Sequence, residues 1–328
     1  MVARWAHNPK VPGSSPGSAT KLRTRPRERS FLFITMAHKS GFVSIIGKPN
    51  VGKSTLINIL VGEKLSIITS KAQTTRHRIL GIVSTDDYQV IFSDTPGIIK
   101  PRYLLQESMM NAVEESLQGG DVVLYVTAWD ERGDNEEIEK RLSKNKAPVI
   151  CILNKIDLSA TQEEVVARTQ ELQEKYNPVK VIPVSAKESF NVQHIFPAIL
   201  ELLPEGPEYY PKDQFTDRPE RFFASEIIRE KIFILLKEEL PYSCEVDIMQ
   251  FVEEEKIIRI HADIYVLRDS QKPIVIGAQG KNLKRIGIGA RKDLEAFFGK
   301  QVYLETYVKV RENWRDEKKY LKSFGYPD

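Results

Sequence analysis

The residues best suited to chemistry lie near the front of the chain, where positions 47 to 54 spell G-x-x-x-x-G-K-S between an apolar run and a helix-like stretch. A loop around a polyphosphate must turn several backbone N–H groups inward, and Gly47 and Gly52 permit that path because they carry no Cβ. The following helix directs its positive end at the same anion. We expect Lys53 to reach the β- and γ-phosphates and the Ser54 hydroxyl to bind Mg²⁺. The predicted phosphate loop consists of Gly47, Lys48, Pro49, Asn50, Val51, Gly52, Lys53, Ser54 and Thr55.

A second motif indicates which base this loop serves. An N-K-x-D sequence at 154–157 follows an apolar strand, at the carboxyl edge where parallel sheets bind ligands. Asp157 can accept hydrogen bonds from guanine N1–H and the exocyclic amine, whereas adenine would leave the carboxylate unpaired. We expect Asn154 to support the N7/O6 edge, the stem of Lys155 to lie over the base, and the S-A-K sequence at 185–187 to offer a backbone N–H to O6. The predicted guanine set is Asn154, Lys155, Ile156, Asp157, Ser185, Ala186 and Lys187.

Two further segments would complete the phosphate end of the site. In the D-T-P-G run at 94–97, we expect Asp94 to bind Mg²⁺ through water and the Gly97 N–H to bond the γ-phosphate. The Q-T-T-R run at 73–76 lies where a flexible switch must offer a Mg²⁺-binding hydroxyl, and we favour Thr75 over Thr74. The predicted Mg²⁺ ligands are Ser54, Thr75 and Asp94. The nucleotide set also includes Thr95, Pro96, Gly97 and Ile98.

The residue after Gly97 bears on hydrolysis. Many such hydrolases place a glutamine there to orient water, whereas this chain has Ile98, so we expect slow intrinsic turnover. Asn50 is one candidate helper, because its carbonyl oxygen can hold a monovalent cation such as K⁺ against the α- and γ-phosphates in the role of an arginine finger. The catalytic candidates are Asn50, Lys53, Thr75 and Gly97.

These motifs need a sheet to position them, and the hydrophobic pattern predicts one. Short apolar runs at 42–46, 79–84, 88–93, 122–126, 149–153 and 180–184 read as strands. Amphipathic stretches at 53–60, 104–117, 135–143, 162–175 and 193–202 read as helices. Continuous apolar strands that alternate with helices predict an α/β domain with a mostly parallel sheet, covered on both faces.

A proline-rich stretch separates this domain from a smaller one. Residues 204–220 read as a semi-rigid linker. Beyond it we predict a helix at 221–239, strands at 245–253 and 256–267, a helix at 282–298, a strand at 302–310 and a terminal helix at 316–323. This order predicts a small α+β domain.

The small domain carries a G-x-x-G turn before its second helix. A tight turn without side chains at its ends lets a single-stranded nucleic-acid backbone approach main-chain N–H groups at a helix N-terminus. The helix after the turn has five basic residues and no acid between 281 and 292, which predicts a positive strip. The predicted RNA-binding residues are Gly277, Ala278, Gln279, Gly280, Lys281, Lys284, Arg285, Arg291 and Lys292.

Length and composition are consistent with this division. The chain has 328 residues, about twice a typical single domain. Its net charge of +3 comes from residues 1–35, which hold seven Lys or Arg and one acid, so any nucleic-acid argument must rest on local charge. That proline-rich extension is expected to be disordered, either as a transit peptide or as a misassigned start upstream of Met36. Two unpaired cysteines, Cys151 and Cys244, favour a reducing compartment.

With both sites described, the sequence resembles the Era family of GTPases from about Ser40 to Tyr326. The resemblance is carried by the phosphate loop, Q-T-T-R-H-R at 73–78, D-T-P-G-I at 94–98, E-L-P-Y-S at 239–243 and I-G-I-G-A-R-K at 286–292. It implies a Ras-like GTPase domain, a type II KH domain that binds the 3′ region of 16S ribosomal RNA, and a role in 30S subunit maturation. It also implies peripheral association with the cytoplasmic membrane. The chain departs from the family pattern at Ala278 and Gln279, where the turn usually carries a basic residue.

Our sequence interpretation is a GTP-hydrolysing switch, cytoplasmic and monomeric, whose GTPase domain (40–203) biases a KH domain (221–328) across the linker. Two alternatives remain open at this point. One is an RNA-binding module with a degenerate nucleotide fold. The other is a GTPase that acts at the membrane or in tRNA modification and uses the small domain as a protein dock.

Overall fold

The computed structural model describes residues 38–131 and 135–326. The predicted N-terminal extension, residues 1–35, lies outside this range. Among the described residues, no helix combines the length and apolar character that crossing a bilayer requires.

A six-stranded sheet forms the centre of the first domain. Its spatial order is β2-β3-β1-β4-β5-β6, with β2 antiparallel to β3 and the other pairs parallel. The strands are β1 (Lys39–Ile46), β2 (Ile79–Ser84), β3 (Tyr88–Asp94), β4 (Val122–Ala128), β5 (Val149–Asn154) and β6 (Lys180–Pro183). The helices are α1 (Lys53–Val61), α2 (Leu104–Gln118), α3 (Glu136–Leu142), α4 (Gln162–Tyr176) and α5 (Ile195–Leu202).

The apolar character of the central strands explains this architecture. Every residue of β4 is buried, as a parallel strand covered on both faces requires. The parallel direction of β1, β3, β5 and β6 brings the loops that follow them to one end of the sheet. The phosphate loop and the D-T-P-G, N-K-x-D and S-A-K motifs lie in those loops or at the strand ends, which is where ligands bind in such sheets.

The second domain packs two helices on one face of a three-stranded sheet. Strand β8 pairs antiparallel with β7 and parallel with β9. Buried residues of the first helix, the second long helix and the sheet form one apolar core. The elements are α6 (Glu220–Leu235), β7 (Glu245–Glu253), β8 (Ile257–Val266), α7 (Lys272–Ile276), α8 (Lys281–Phe298), β9 (Gln301–Val310) and α9 (Lys318–Ser323). The predicted fold class, a mostly parallel GTPase-type domain followed by a small α+β domain, is confirmed.

Three local features differ from the sequence predictions. Helix α6 ends at Leu235 instead of 239, because Leu236 has an extended backbone (φ −90°, ψ 156°). The apolar segment before the G-x-x-G turn is a short helix, α7. Strand β1 begins at Lys39 instead of 42, since Lys39 and Ser40 pair with β3.

The segment that joins the domains, 204–218, lies along the first domain. Near its start, the Pro204 carbonyl accepts a hydrogen bond from the Ser40 N–H at 3.1 Å. Farther on, the Phe215 carbonyl accepts from the Ile82 N–H at 2.8 Å. Hydrogen bonds therefore fix this segment to the first domain near both of its ends, and its proline content is only part of its rigidity.

Candidate nucleotide site and RNA interface

The two glycines of the phosphate loop are required by close contacts. A Cβ on Gly47 (φ +151°) would lie 2.1 Å from the Val126 carbonyl oxygen, and one on Gly52 (φ +99°) would lie 2.1 Å from Asn154 Nδ2. Both glycines also occupy positive-φ conformations that other residues adopt only with strain. The loop is therefore held between the end of β4 and the base-reading segment.

Lys53 lies at the centre of the loop. Its Nζ donates to the carbonyl oxygens of Gly47 (3.1 Å) and Lys48 (2.8 Å). Burial lowers the pKa of Lys53 to about 8, although Asp94 and Glu131 act in the opposite direction. A polyphosphate would favour the charged lysine, since an anion nearby stabilises the ammonium form.

The three predicted Mg²⁺ ligands come together in the structure. Ser54 Oγ lies 2.9 Å from Thr75 Oγ1 and donates to Asp94 Oδ2 at 3.1 Å. Asp94 is fully buried, its Oδ1 has no hydrogen-bond partner among the described residues, and burial raises its pKa. Two hydroxyls and a carboxylate are hard oxygen donors of the kind that Mg²⁺ prefers, so these residues fit the ion. Thr74 is not in this cluster, because its hydroxyl bonds Thr69 and the Lys71 carbonyl.

The D-T-P-G segment lies directly on the phosphate loop. A Cβ on Gly97 would approach Pro49 backbone atoms to 2.6–2.7 Å. The Ile98 N–H donates to the Gly47 carbonyl at 3.0 Å, and the Thr95 hydroxyl donates to Ile45 O at 2.7 Å. Ile98 is buried in an apolar cluster. Its side chain therefore offers no group to orient a water.

Asn50 stands at the exposed tip of the phosphate loop. It adopts a left-handed backbone conformation (φ 63°), and its Nδ2 donates at 3.0 Å to the carbonyl of Ser70, just before the switch run 73–76. The amide oxygen of Asn50 is not used in that bond. The side chain therefore links the phosphate loop to the switch and keeps an oxygen donor.

The base-reading residues are connected to one another. Asn154 Nδ2 donates to the Val51 carbonyl at 2.8 Å, and its Oδ1 accepts the Ala186 N–H at 2.9 Å. Asn154 therefore joins the phosphate loop to the S-A-K loop, and only its second amide hydrogen remains for a base. The Ser185 hydroxyl donates to Asp157 Oδ1 at 2.6 Å, which orients that carboxylate. We expected a backbone N–H of the S-A-K run to reach guanine O6, and that of Ala186 is bonded to Asn154 in this structure.

The G-x-x-G turn has a different environment. Gly277 (φ +75°) is required by contact, since a Cβ there would lie 2.8 Å from Asn282 Cγ. Gly280 also has a φ of +75° but would place its Cβ in open space. A groove of about 400 Å³ extends from Gly280 between α8 and β9, and Lys284 and Arg291 line it. The turn therefore opens onto a groove that suits an extended anionic chain.

The basic residues of α8 are divided between two grooves. Lys284 and Arg291 line the groove beside β9, whereas Arg285 and Lys292 line a second groove between α8 and α6. Their spacing explains the division, because residues three or four apart share a helix face and adjacent ones do not. The predicted single strip is thus two faces of one helix, both bordered by the exposed Ile288.

Comparisons with known proteins agree with this geometry. A family model described as 50S ribosome-binding GTPase matches residues 42–155, and a KH domain model matches residues 239–315. A crystal structure of an Aquifex aeolicus Era point variant bound to GDP·AlF4⁻ is 40% identical, with a TM-score of 0.84 over 88% of this chain and 100% of its own. An Era structure in complex with MgGDPNP and nucleotides 1506–1542 of 16S ribosomal RNA is also 40% identical, with a TM-score of 0.84 over 89% of this chain and 100% of its own.

The chain belongs to the Era family. It is therefore a P-loop GTPase with a KH domain, as the sequence predicted. The degenerate nucleotide fold considered from the sequence is excluded by the same match.

Sequence reasoning missed the contacts between the two domains of this Era-family chain. Arg76, directly after the two switch threonines, is buried against the KH domain. It forms an ion pair with Glu245 at 2.8 Å and donates to the carbonyl oxygens of Cys244 (2.9 Å), Pro241 (3.3 Å) and Tyr242 (3.3 Å). The only sequence signal was an arginine next to the switch. Its partner lies 169 positions away, so no local pattern could reveal the pair.

The C-terminal end of the chain also contacts the switch. The Tyr326 ring stacks on His77 with centroids 4.1 Å apart, and its hydroxyl bonds Glu245 at 2.7 Å. Trp314 and Leu321 belong to the apolar cluster that contains Ile98. The residues after β9 therefore contact the segment beside the switch threonines directly and share an apolar cluster with Ile98.

Proposed function

We propose that this chain is a GTP-driven switch that binds the 3′ region of 16S ribosomal RNA through its KH domain and assists 30S subunit maturation. The observation that carries the proposal is the KH groove beside Gly280, in a chain that aligns over the full length of an Era solved with that RNA segment and MgGDPNP. Release would follow hydrolysis of GTP.

Within this proposal the nucleotide residues take the roles assigned from the sequence. Lys53 binds the β- and γ-phosphates, Ser54 and Thr75 bind Mg²⁺, and Asp94 binds it through water. Bound Mg²⁺ would neutralise charge on the transferred phosphate. The proximity of the two hydroxyls and the carboxylate supports this set.

We propose that Asn50 holds a monovalent cation at the phosphates. Ile98 offers no group that could orient the attacking water, so this cation would assist hydrolysis instead. Its Nδ2 bond to Ser70 places the tip of the phosphate loop against the switch, so a K⁺ held by the amide oxygen would lie beside the phosphates. Hydrolysis should be faster in potassium than in sodium buffer for the native chain and equal in both for Asn50→Ala. Equal rates for the native chain would contradict the role.

RNA binding is proposed to depend on Lys281 and Lys284 more than in relatives with a basic turn. Ala278 and Gln279 offer no charge within the turn, whereas Lys281 and Lys284 are exposed on the helix that follows. Each phosphate contact adds about one unit to the salt dependence of RNA affinity. Replacing Lys284 by Gln should therefore lower that slope by about one.

The decisive experiment is to crosslink the protein to RNA in cells and sequence the attached fragments. Enrichment at the 3′ end of 16S RNA is expected, and it should be reduced in Gly280→Asp. Enrichment in transfer RNA, or recovery of membrane proteins without RNA, would instead support the alternative role in tRNA modification or at the membrane.

Cytoplasmic location, peripheral membrane association and the monomeric state are also part of the proposal. Fractionation of cells with and without high salt would test the membrane contact, because an electrostatic association is screened by salt. Light scattering of the purified chain would test the monomer. A stable dimer, or a protein wholly absent from membranes at low salt, would contradict these parts.

A further inference from the structure

A serine outside the nucleotide motifs contacts the carboxylate assigned to Mg²⁺. The Ser66 hydroxyl donates to Asp94 Oδ2 at 2.6 Å, compared with 3.1 Å for the bond from Ser54 to the same oxygen. Ser66 is almost fully buried, so water does not compete for this bond. With Oδ2 held by two hydroxyls, the orientation of the carboxylate is fixed and Oδ1 remains for a Mg²⁺-bound water.

Helix α1 sets the position of this serine. The Asn58 side chain accepts the N–H groups of Leu65 (3.0 Å) and Ser66 (2.9 Å) and donates to the Ser66 carbonyl (2.8 Å). These three bonds determine the backbone at Ser66. The hydroxyl therefore reaches Asp94 only while loop 64–68 keeps this conformation.

The KH domain holds the same loop from the other side. Glu230 of α6 accepts the Ile68 N–H at 3.3 Å through one carboxylate oxygen and lies 3.3 Å from Lys64 Nζ through the other. Leu65 packs in an apolar cluster with Phe223, which lies about two turns before Glu230 on α6. Loop 64–68 is thus fixed between the GTPase core and the KH domain.

We infer that Ser66 is a positioning residue for the Mg²⁺ site, and that helix α6 acts on that site through Glu230 and loop 64–68. The inference rests on the proposed Mg²⁺ role of Asp94. In the arrangement seen here, α6 holds the loop, the loop holds Ser66, and Ser66 holds the carboxylate. Movement of the KH domain away from the loop would free Asp94, weaken Mg²⁺ binding and speed GDP release. RNA that shifts the KH domain would therefore change nucleotide exchange without contacting the nucleotide.

Release of a fluorescent GDP from the full chain, measured across a Mg²⁺ titration and in EDTA, tests the first step. Ser66→Ala should raise about tenfold the Mg²⁺ concentration at which GDP release is half-maximally slowed, because a charge-assisted hydrogen bond to Asp94 is lost. The rate in EDTA should equal that of the native chain. Ser225→Ala is the matched control, since in the described part of the chain that hydroxyl bonds only to Phe222 O, within α6. A change of rate in EDTA as large as that in Mg²⁺ would show a merely structural effect and overturn the inference.

Glu230→Ala tests the second step. It should shift the Mg²⁺ titration in the same direction as Ser66→Ala, and the double variant should show no more than the larger single effect, because both changes interrupt one route. Additive shifts, or a native titration in Glu230→Ala, would overturn the action of the KH domain. Asp94→Asn distinguishes the underlying assumption: if Mg²⁺ slows release from that variant as it does from the native chain, the Mg²⁺ assignment itself is wrong.

Discussion

Two glycine turns in this molecule are expected to bind phosphate, and their surroundings differ. The phosphate loop is enclosed, since a Cβ at Gly47 or Gly52 would lie 2.1 Å from another group. The G-x-x-G turn is enclosed at Gly277 but open at Gly280. An enclosed turn presents a fixed set of donors to a small ligand that enters it. An open turn leaves room for a long ligand to pass. Substitution should therefore act through protein contacts at the first turn and through the ligand at the second.

The largest effect is expected for Gly52→Ala. The added Cβ would lie 2.1 Å from Asn154 Nδ2, and the alanine would have a strained backbone at φ +99°. The phosphate loop and the base-reading segment therefore cannot both keep their positions. Strain and overpacking of about 1–3 kcal/mol each predict a loss of GTP affinity of about thirtyfold or more. Isothermal titration with GTP measures the loss, and RNA binding by the same variant serves as the control. Native GTP affinity would show that the enclosure is unimportant.

Asp157→Asn should produce the next largest effect. The variant loses the carboxylate that accepts from guanine, so the preference for GTP over xanthine nucleotides should fall by about a hundredfold. Displacement of fluorescent GDP by GTP and by XTP measures this preference. The effect should leave the Asn154 bridge intact, which native unfolding temperature would verify. Unchanged selectivity would refute the role of Asp157.

Gly280→Asp should weaken RNA binding by about tenfold and leave GTP hydrolysis unchanged. A Cβ at this position meets no atom of the described residues within 4 Å, but the carboxylate adds negative charge where the RNA backbone should pass. Gly299→Asp is the matched control, because Gly299 has a similar φ of +66° and equally open surroundings at the other end of α8. Equal loss of RNA affinity in both variants would indicate strain in α8 instead of contact with RNA.

The smallest effect concerns His77, which lies at the interface between the two domains. Burial, followed by the charges of Arg218, Arg229 and Arg76, holds the pKa of His77 well below its usual value. The folded chain therefore keeps His77 neutral, while the unfolded chain takes up a proton below about pH 6.5. Its contribution to unfolding free energy should be complete above that pH and fall by about 1.4 kcal/mol per unit below it. Urea unfolding of the native chain and of His77→Phe, which keeps an aromatic ring, should diverge only at acidic pH.

The sequence predicted what local rules determine. Glycines are required where a backbone must approach an anion, and alternating apolar runs determine a parallel sheet, so the motifs and fold class could be stated in advance. The closeness of Ser54, Thr75 and Asp94 followed from the phosphate-loop, switch and D-T-P-G motifs to which they belong. The assigned contacts to nucleotide and RNA themselves stay predictions.

The remaining features depend on contacts between distant segments. Ser66 looked like an ordinary loop serine, because its partner Asp94 lies 28 positions away and its support from Glu230 comes from another domain. Asn154 was assigned to the base because nothing in the sequence reveals its bond to Val51. Residues 204–220 were described as a linker because proline content indicates stiffness but not what a segment packs against.

That segment has a consequence for dividing the molecule. Strand β2 is the outermost strand of the sheet, and Phe215 and Thr216 lie along it, with the Ile82 N–H bonded to Phe215 and a bridge between Gly81 and Thr216. An uncovered outer strand presents free N–H and C=O groups to other chains and promotes aggregation. A GTPase domain cut at residue 203 should therefore be prone to self-association. The same domain extended to residue 218 should remain in solution.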